Sequence, residues 1–262
     1  MTQELLAKKE NGVLVLTMNR PDAMNALTPT MMQAQLDALM AAQSDPDVGC
    51  VVMTGAGRAF CAGGDVKSMA SGERRGSLEE RAVDLRRRME VSRLLHEMAK
   101  PTIAMVNGVA AGAGLSIALA CDLRVVAKSA RMTTAFAKVG FSGDFAGHYF
   151  LHRMIGTAKA RELYFTAEIL DSAKIEALGL ANRVVADDQL QAETMKLAGQ
   201  LANGPRVAWG YMKRNMKAAE EGTLSEVMDL EAFGMMRCAD TDDHKEAAKA
   251  FVEKRQPVFK GR

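Results

Sequence analysis

The chain has 262 residues, enough to bury a large core, and its share of apolar and charged residues is ordinary for a globular protein. A formal net charge of +2 excludes a general attraction to nucleic acid or to a membrane surface. The opening MTQELLAKKENG is polar with no apolar signal core, and Cys50, Cys61, Cys121 and Cys238 lack CxxC spacing, so a cytoplasmic protein with reduced thiols is expected rather than a disulfide or zinc framework.

Residues 12–18, GVLVLTM, predict a strand that Asn19, Arg20 and Pro21 end. Thr28 and Pro29 suit the N-cap and first position of a helix running to about residue 43. Residues 48–54, VGCVVMT, predict a second strand, apolar enough to be buried on both faces. It runs into a glycine-rich turn at 55–65, where Asp65 is placed to cap a following helix. Residues 79–98 predict an amphipathic helix, with Val83, Leu85, Met89, Leu94, Leu95 and Met98 apolar and the arginines among them on a solvated face.

The stretch 100–124, KPTIAMVNGVAAGAGLSIALACDLR, organises the rest. It reads as a buried strand at 102–106, a turn at Asn107 and Gly108, and a helix over 115–121 that Gly112 and Gly114 lead into. The first N–H groups of such a helix have no internal partner, and the helix dipole favours negative charge beside them. Phosphate, carboxylate or a developing oxyanion would all fit, as would simple close packing of a strand on a helix. Residues 101–121 carry no charge, but three glycines, an asparagine and an internal turn argue against a membrane span. Neither GxGxxG nor GxxxxGK[ST] is present, so nucleotide phosphate binding has little support.

Further on, 123–127 predicts a strand, and TAFAKVGFSGDFAGHYF at 134–150 is a third glycine-punctuated region. Helices are expected at 157–165 and 172–178 and a strand at 183–185. From Asp188 the pattern is helical only, at 189–201, 207–221, 224–238 and 243–255. The chain therefore divides into an α/β section, 1–187, and a helical C-terminal section, 188–262. His96, His152 and His244 are isolated, and no metal-ligand spacing occurs.

Two glycine-rich strand-to-helix turns, 60–65 and 107–114, suit acyl-transfer or enolate chemistry, because one N–H from each can hold a single oxygen as it gains charge. GAGRAFCAGGDVKSM and KPTIAMVNGVAAGAGLSIALACDLR resemble the two signature regions of the crotonase (enoyl-CoA hydratase/isomerase) superfamily. LTMNRPDAMNAL near the start and AFVEKRQPVFKGR at the end extend the resemblance over the whole chain. It implies a spiral of repeated ββα units, C-terminal helices that assemble a homotrimer or hexamer, and an acyl-CoA thioester substrate, with CoA arriving as part of that substrate and no separate cofactor. It implies an oxyanion hole from the N–H groups of Ala62 and Ala113, with Gly64, Asp65, Gly112, Phe136 and His148 among the substrate-binding residues. CoA contacts fall on Ala23 and Met24, and on Phe251 and Lys254 of the last helix, often from a neighbouring subunit. Asp22 stands where some members carry a lysine.

The reaction depends on the acid and base. Hydratases of this superfamily use two glutamates, and those positions here hold Ser116 and Phe136. Neither can serve as a carboxylate, so the two-carboxylate hydration route lacks its catalysts. Asp144 matches the aspartate of a branch resembling the ring-opening isomerases of phenylacetyl-CoA degradation. The resemblance therefore implies an enoyl-CoA isomerase in which Asp144 shuttles a proton. Phe136, Phe141 and Phe145 would make its pocket apolar and raise its pKa, with His148 and Tyr149 near the acyl group. On the residues alone, Asp144 also suits a turn after Ser142 and Gly143. Other readings are a hydratase working through Asp144, a dehalogenase or thioesterase with Asp144 as nucleophile, and a CoA-binding protein without turnover. Gly140, Ser142 and Asp144 fail the GxSxG elbow of a serine hydrolase at its last position.

Overall fold

Two sheets share one set of chain units. The computed structural model describes residues 3–65 and 76–262. Strands β1 (Leu5–Glu10) and β2 (Val13–Met18) form an antiparallel hairpin that turns at Asn11 and Gly12, both with positive φ. Strands β3 (Cys50–Gly55), β5 (Thr102–Val106), β7 (Leu123–Ala127) and β9 (Arg183–Val185) extend it in parallel, giving the order β1-β2-β3-β5-β7-β9. The strands between them, β4 (Ala59–Cys61), β6 (Val109–Ala111) and β8 (Arg131–Thr133), form a second parallel sheet. Three times the chain gives one strand to the large sheet and the next to the small one, then enters helical chain. This is the repeated ββα spiral expected from the resemblance.

The central strands bury both faces, as their unbroken apolar runs require. Every residue of β3 is buried, and Ile103, Val106, Val125 and Val126 join Leu16, Met18 and Met132 in one core. Helix α1 (Pro29–Ser44) begins as its sequence dictates, the Thr28 side chain accepting from Met31 N–H ahead of Pro29. The single helix expected at 79–98 is two, α2 (Leu78–Arg88) and α3 (Glu90–Glu97), parted at Met89. Only α3 buries residues, Val91, Leu94 and Leu95 among them. The turn at Met89 leaves the charged α2 in solvent with none. The helix that Asp65 was expected to cap lies outside the described residues.

Helix α4 (Ala113–Ala120) is wholly buried, as its uncharged sequence demands. Helix α5 (Gly147–Thr166) is two helical stretches parted by a kink at Gly156, with φ 76 and ψ 165: the second follows the expected 157–165, and the first was not expected from the sequence. Helix α6 (Ser172–Ala177) and then α7 (Leu190–Ala202), α8 (Arg206–Glu221), α9 (Leu224–Ala239) and α10 (Asp242–Val252) complete the chain. The boundary expected near Asp188 falls before a helix that packs on the large sheet. Thr194, Ala198 and Ala202 of α7 are buried against β3, β5 and β7. Lys213 of α8 then reaches Asp122 at 2.7 Å and the carbonyls of Leu95 and Lys100. Among the described residues no helix is long and apolar enough to cross a membrane.

Candidate active site

The small sheet brings the two glycine turns together. β4 and β6 run parallel with Cys61 opposite Ala110, so the residues that follow each strand meet at one end of the sheet. The approach is close: a β-carbon on Gly114 would lie 2.2 Å from the Cys61 carbonyl oxygen, and one on Gly63 would lie 2.8 Å from that of Ala111. Gly112, at φ 53 and ψ −125, holds a conformation that side chains disfavour and turns the chain into α4. Ala113 is the first helical residue, so its N–H has no partner within α4, and the helix dipole stands behind it. Gly63 lies beside it, the same notional β-carbon being 3.5 Å from Ala113 N.

The other expected donor is corrected. Ala62 N–H is not free, because it donates to the Met24 carbonyl oxygen at 3.0 Å. Leu27 N–H donates to Gly63 O at 2.8 Å, and the buried Asn25 side chain donates to the carbonyls of Ala56 and Ala59. Arg20 completes the brace, donating to Asp65 at 3.0 Å and to Ala26 O at 2.7 Å. The segment holding Ala23 and Met24 therefore fixes the first glycine turn from behind. Gly64 N–H makes no hydrogen bond among the described residues, and it is the amide of this turn left to pair with Ala113.

These turns border a cavity of about 310 Å³. Ala62, Gly63, Gly64, Gly112 and Ala113 form one side, and Leu85, Ala135, Phe136, Val139 and Phe141 form an apolar wall. Ser142, Gly143 and Asp144 close it. Asp144 is the only ionisable residue lining it among those described. Its Oδ1 is buried and has no hydrogen-bond partner, and burial pushes its pKa up to about 6. The backbone around it is strained: Ala135, Phe145 and Ala146 all have φ between 51 and 60. Hollows of about 630 and 810 Å³ lie elsewhere, but neither is bordered by Ala113 or Asp144.

Phe136 and Phe141 flank the cavity as expected, whereas Phe145 is buried beside it. Ser116 is buried in α4, its hydroxyl donating to Gly112 O at 3.3 Å. His148 does not line the cavity. Its exposed ring stacks on that of Tyr164, with centroids 3.8 Å apart. Tyr149 turns away from the cavity, its hydroxyl donating to Glu220 and Glu221. Phe251 is 85% exposed, and neither it nor Lys254 borders the cavity within one chain. Leu85, Ala135 and Val139 escaped the sequence reading, since nothing in their local pattern marks residues that only the fold brings together.

A sequence profile described as enoyl-CoA hydratase/isomerase matches residues 8–262. The chain is 34% identical to 1,2-epoxyphenylacetyl-CoA isomerase of Escherichia coli (strain K12), over the full length of both. It is 33% identical to crotonyl-CoA hydratase of Syntrophomonas wolfei, over 98% of each chain. The crystal structure of an enoyl-CoA hydratase from Polaromonas sp. JS666 superposes with a TM-score of 0.92 at 33% identity, covering 97% of this chain and 99% of that one. The chain belongs to the crotonase superfamily, in its enoyl-CoA hydratase/isomerase family.

Proposed function

We propose that this protein is an enoyl-CoA isomerase that moves a double bond along an acyl-CoA thioester with one carboxylate. The N–H groups of Gly64 and Ala113 receive the thioester oxygen. The observation that carries the reading is Asp144, the one ionisable group on the cavity among the described residues, with an unpartnered oxygen and a pKa of about 6. Such a carboxylate is ionised at neutral pH yet basic enough to take a carbon-bound proton that the oxyanion hole acidifies.

In a 3-enoyl-CoA the Asp144 carboxylate removes a proton from the second acyl carbon. The electron pair delocalises into a dienolate whose oxygen the two amides hold. The protonated Asp144 returns its proton to the fourth carbon, leaving a 2-enoyl-CoA and a regenerated carboxylate. The apolar wall of Leu85, Phe136, Val139 and Phe141 keeps water from the dienolate. No group beyond the thioester and these residues enters the step. Phe251, exposed near the end of α10, and Lys254, exposed in the turn just beyond it, would meet CoA from a neighbouring copy in a trimer or hexamer.

Hydration is the second reading, favoured by the hydratase name of a relative at nearly the same identity. It requires Asp144 to activate water alone, since Phe136 transfers no proton and Ser116 lies buried behind Gly112. Incubation with a 3-enoyl-CoA and a 2-enoyl-CoA separates the two. Isomerisation converts the first into the second, whereas hydration places a hydroxyl on the third acyl carbon.

A further inference from the structure

Behind the two glycine turns lies a side chain that touches both of them and that the proton shuttle does not use. Cys61, the last residue of β4, is fully buried. Its Sγ accepts the Gly63 N–H at 3.4 Å. The same side chain reaches the other turn, its Cβ lying 2.7 Å from where a β-carbon on Gly114 would stand, one residue beyond Ala113. The other buried thiols are used differently. Cys50 and Cys121 donate to the carbonyls of Val51 and Ile117, at 3.9 and 3.7 Å, and among the described residues only Cys61 accepts a backbone N–H. The amides that follow Cys61 therefore have separate fates. Ala62 N–H goes to the Met24 carbonyl, Gly63 N–H goes to the Cys61 sulfur, and Gly64 N–H is left over at the cavity.

We propose that Cys61 is a positioning residue for the oxyanion hole, its sulfur fixing the Gly63 amide so that the next amide, Gly64, is presented beside Ala113. The proposal rests on the reading of Gly64 and Ala113 as the donors to the thioester oxygen. Gly63 has φ 91, in a region that only glycine visits freely, so its conformation must be held by its contacts. Leu27 N–H holds its carbonyl at 2.8 Å, and the sulfur holds its amide. With both ends of Gly63 fixed, the Gly64 amide is set in place before substrate arrives, and a preorganised donor stabilises developing charge without having to turn towards it. The acceptor is also uncharged. Burial pushes the Cys61 thiol up to about 12, so no thiolate stands behind the amides to oppose the negative charge gathering on the thioester oxygen. The contact with Gly114 gives the same side chain a hold on the spacing between the two turns.

The test compares wild type with Cys61→Ala, with Cys61→Ser, and with an ester in place of the Gly63 amide, which removes the same hydrogen bond from its other side. A 3-enoyl-CoA is the substrate, a 2,4-dienoyl-CoA is the bound probe, and thermal melting is the control for folding. The absorbance of the dienoyl thioester moves to longer wavelength when N–H donors hold its carbonyl oxygen, so this red shift reports the hole rather than stability. Cys61→Ala should lower kcat about threefold to tenfold, the effect of one neutral hydrogen bond, with KM little changed and a smaller red shift. Cys61→Ser, which keeps an acceptor on the same β-carbon, should recover most of both. The Gly63 ester should reproduce the loss, and the ester with Cys61→Ala should cost no more than either alone. If Cys61→Ala does not fold, the ester alone decides. Wild-type kcat and red shift in the ester, or a loss in Cys61→Ala that follows a lower Tm and that the ester does not share, would overturn the proposal and leave Cys61 a packing residue. Full activity with esters at Gly64 and at Ala113 would instead overturn the underlying reading of the hole.

Discussion

The Met24 carbonyl oxygen accepts the Ala62 N–H at 3.0 Å, and this contact removes Ala62 from the amides that can face a substrate. What remains at the junction of the two glycine turns is Gly64 on one side and Ala113 on the other. The 3-10 turn Pro21–Ala23 and the Asn25 side chain hold the first turn so that its later amide is presented.

Replacing single backbone amides by esters distinguishes these roles without adding bulk. An ester at Gly64 or Ala113 should lower kcat about a hundredfold to a thousandfold, the usual loss for one oxyanion donor, with little change in Tm. An ester at Ala62 should instead cost roughly 1 kcal/mol of stability, because it removes an internal hydrogen bond. Denaturant melts beside initial rates separate the two outcomes, and a large kcat loss at Ala62 with none at Gly64 would reverse the assignment.

Gly114→Ala should be far more damaging than an ordinary surface change. Its β-carbon would stand 2.2 Å from the Cys61 carbonyl oxygen, so α4 and β4 would have to part. A loss of about 1–3 kcal/mol is expected from such overpacking, together with lost activity as the two amides separate. Urea unfolding measures it.

Asp144 should reduce stability at the pH where it works. Its folded pKa is raised from 3.8 to about 6 by burial, so the stability associated with its protonated form is complete below the unfolded value and is lost as pH rises through about 6. Above that the buried charge costs about 2–3 kcal/mol. Asp144→Asn should therefore melt higher than wild type at pH 8, and the difference should vanish below about pH 4. A pH-independent difference in Tm would argue against a buried, perturbed carboxylate.

The same pKa sets the activity profile. As the base must be ionised, kcat/KM should climb tenfold per pH unit below about 6 and level off above it. Rates with a 3-enoyl-CoA between pH 4.5 and 8 give the curve. A limb centred near 4 would show that Asp144 is solvated in the working enzyme.

The sequence was most legible where one element carries its own signal. The buried runs of β3, β5 and β7 and the capped start of α1 are local properties, and so are the glycines ahead of α4. The small sheet was not legible, because its strands have three residues each, too few for any period to register. β1 was missed because Leu5 is its only buried residue and the lysines and glutamate face solvent. At the site, Asp144 and Ala113 stand on motifs. The loss of the Ala62 amide depends on Met24, thirty-eight positions earlier, and the apolar wall draws Leu85, Ala135 and Val139 from separate elements. Such contacts belong to the fold and leave no trace in local pattern.

The central claim is tested most directly by supplying a 3-enoyl-CoA to wild type and Asp144→Asn side by side and resolving the products by chromatography. The account predicts conversion to the 2-enoyl-CoA by wild type and a loss of about two to four orders of magnitude in the variant. Wild type that leaves the 3-enoyl-CoA untouched while hydrating a 2-enoyl-CoA, or a variant that isomerises at the wild-type rate, would contradict it.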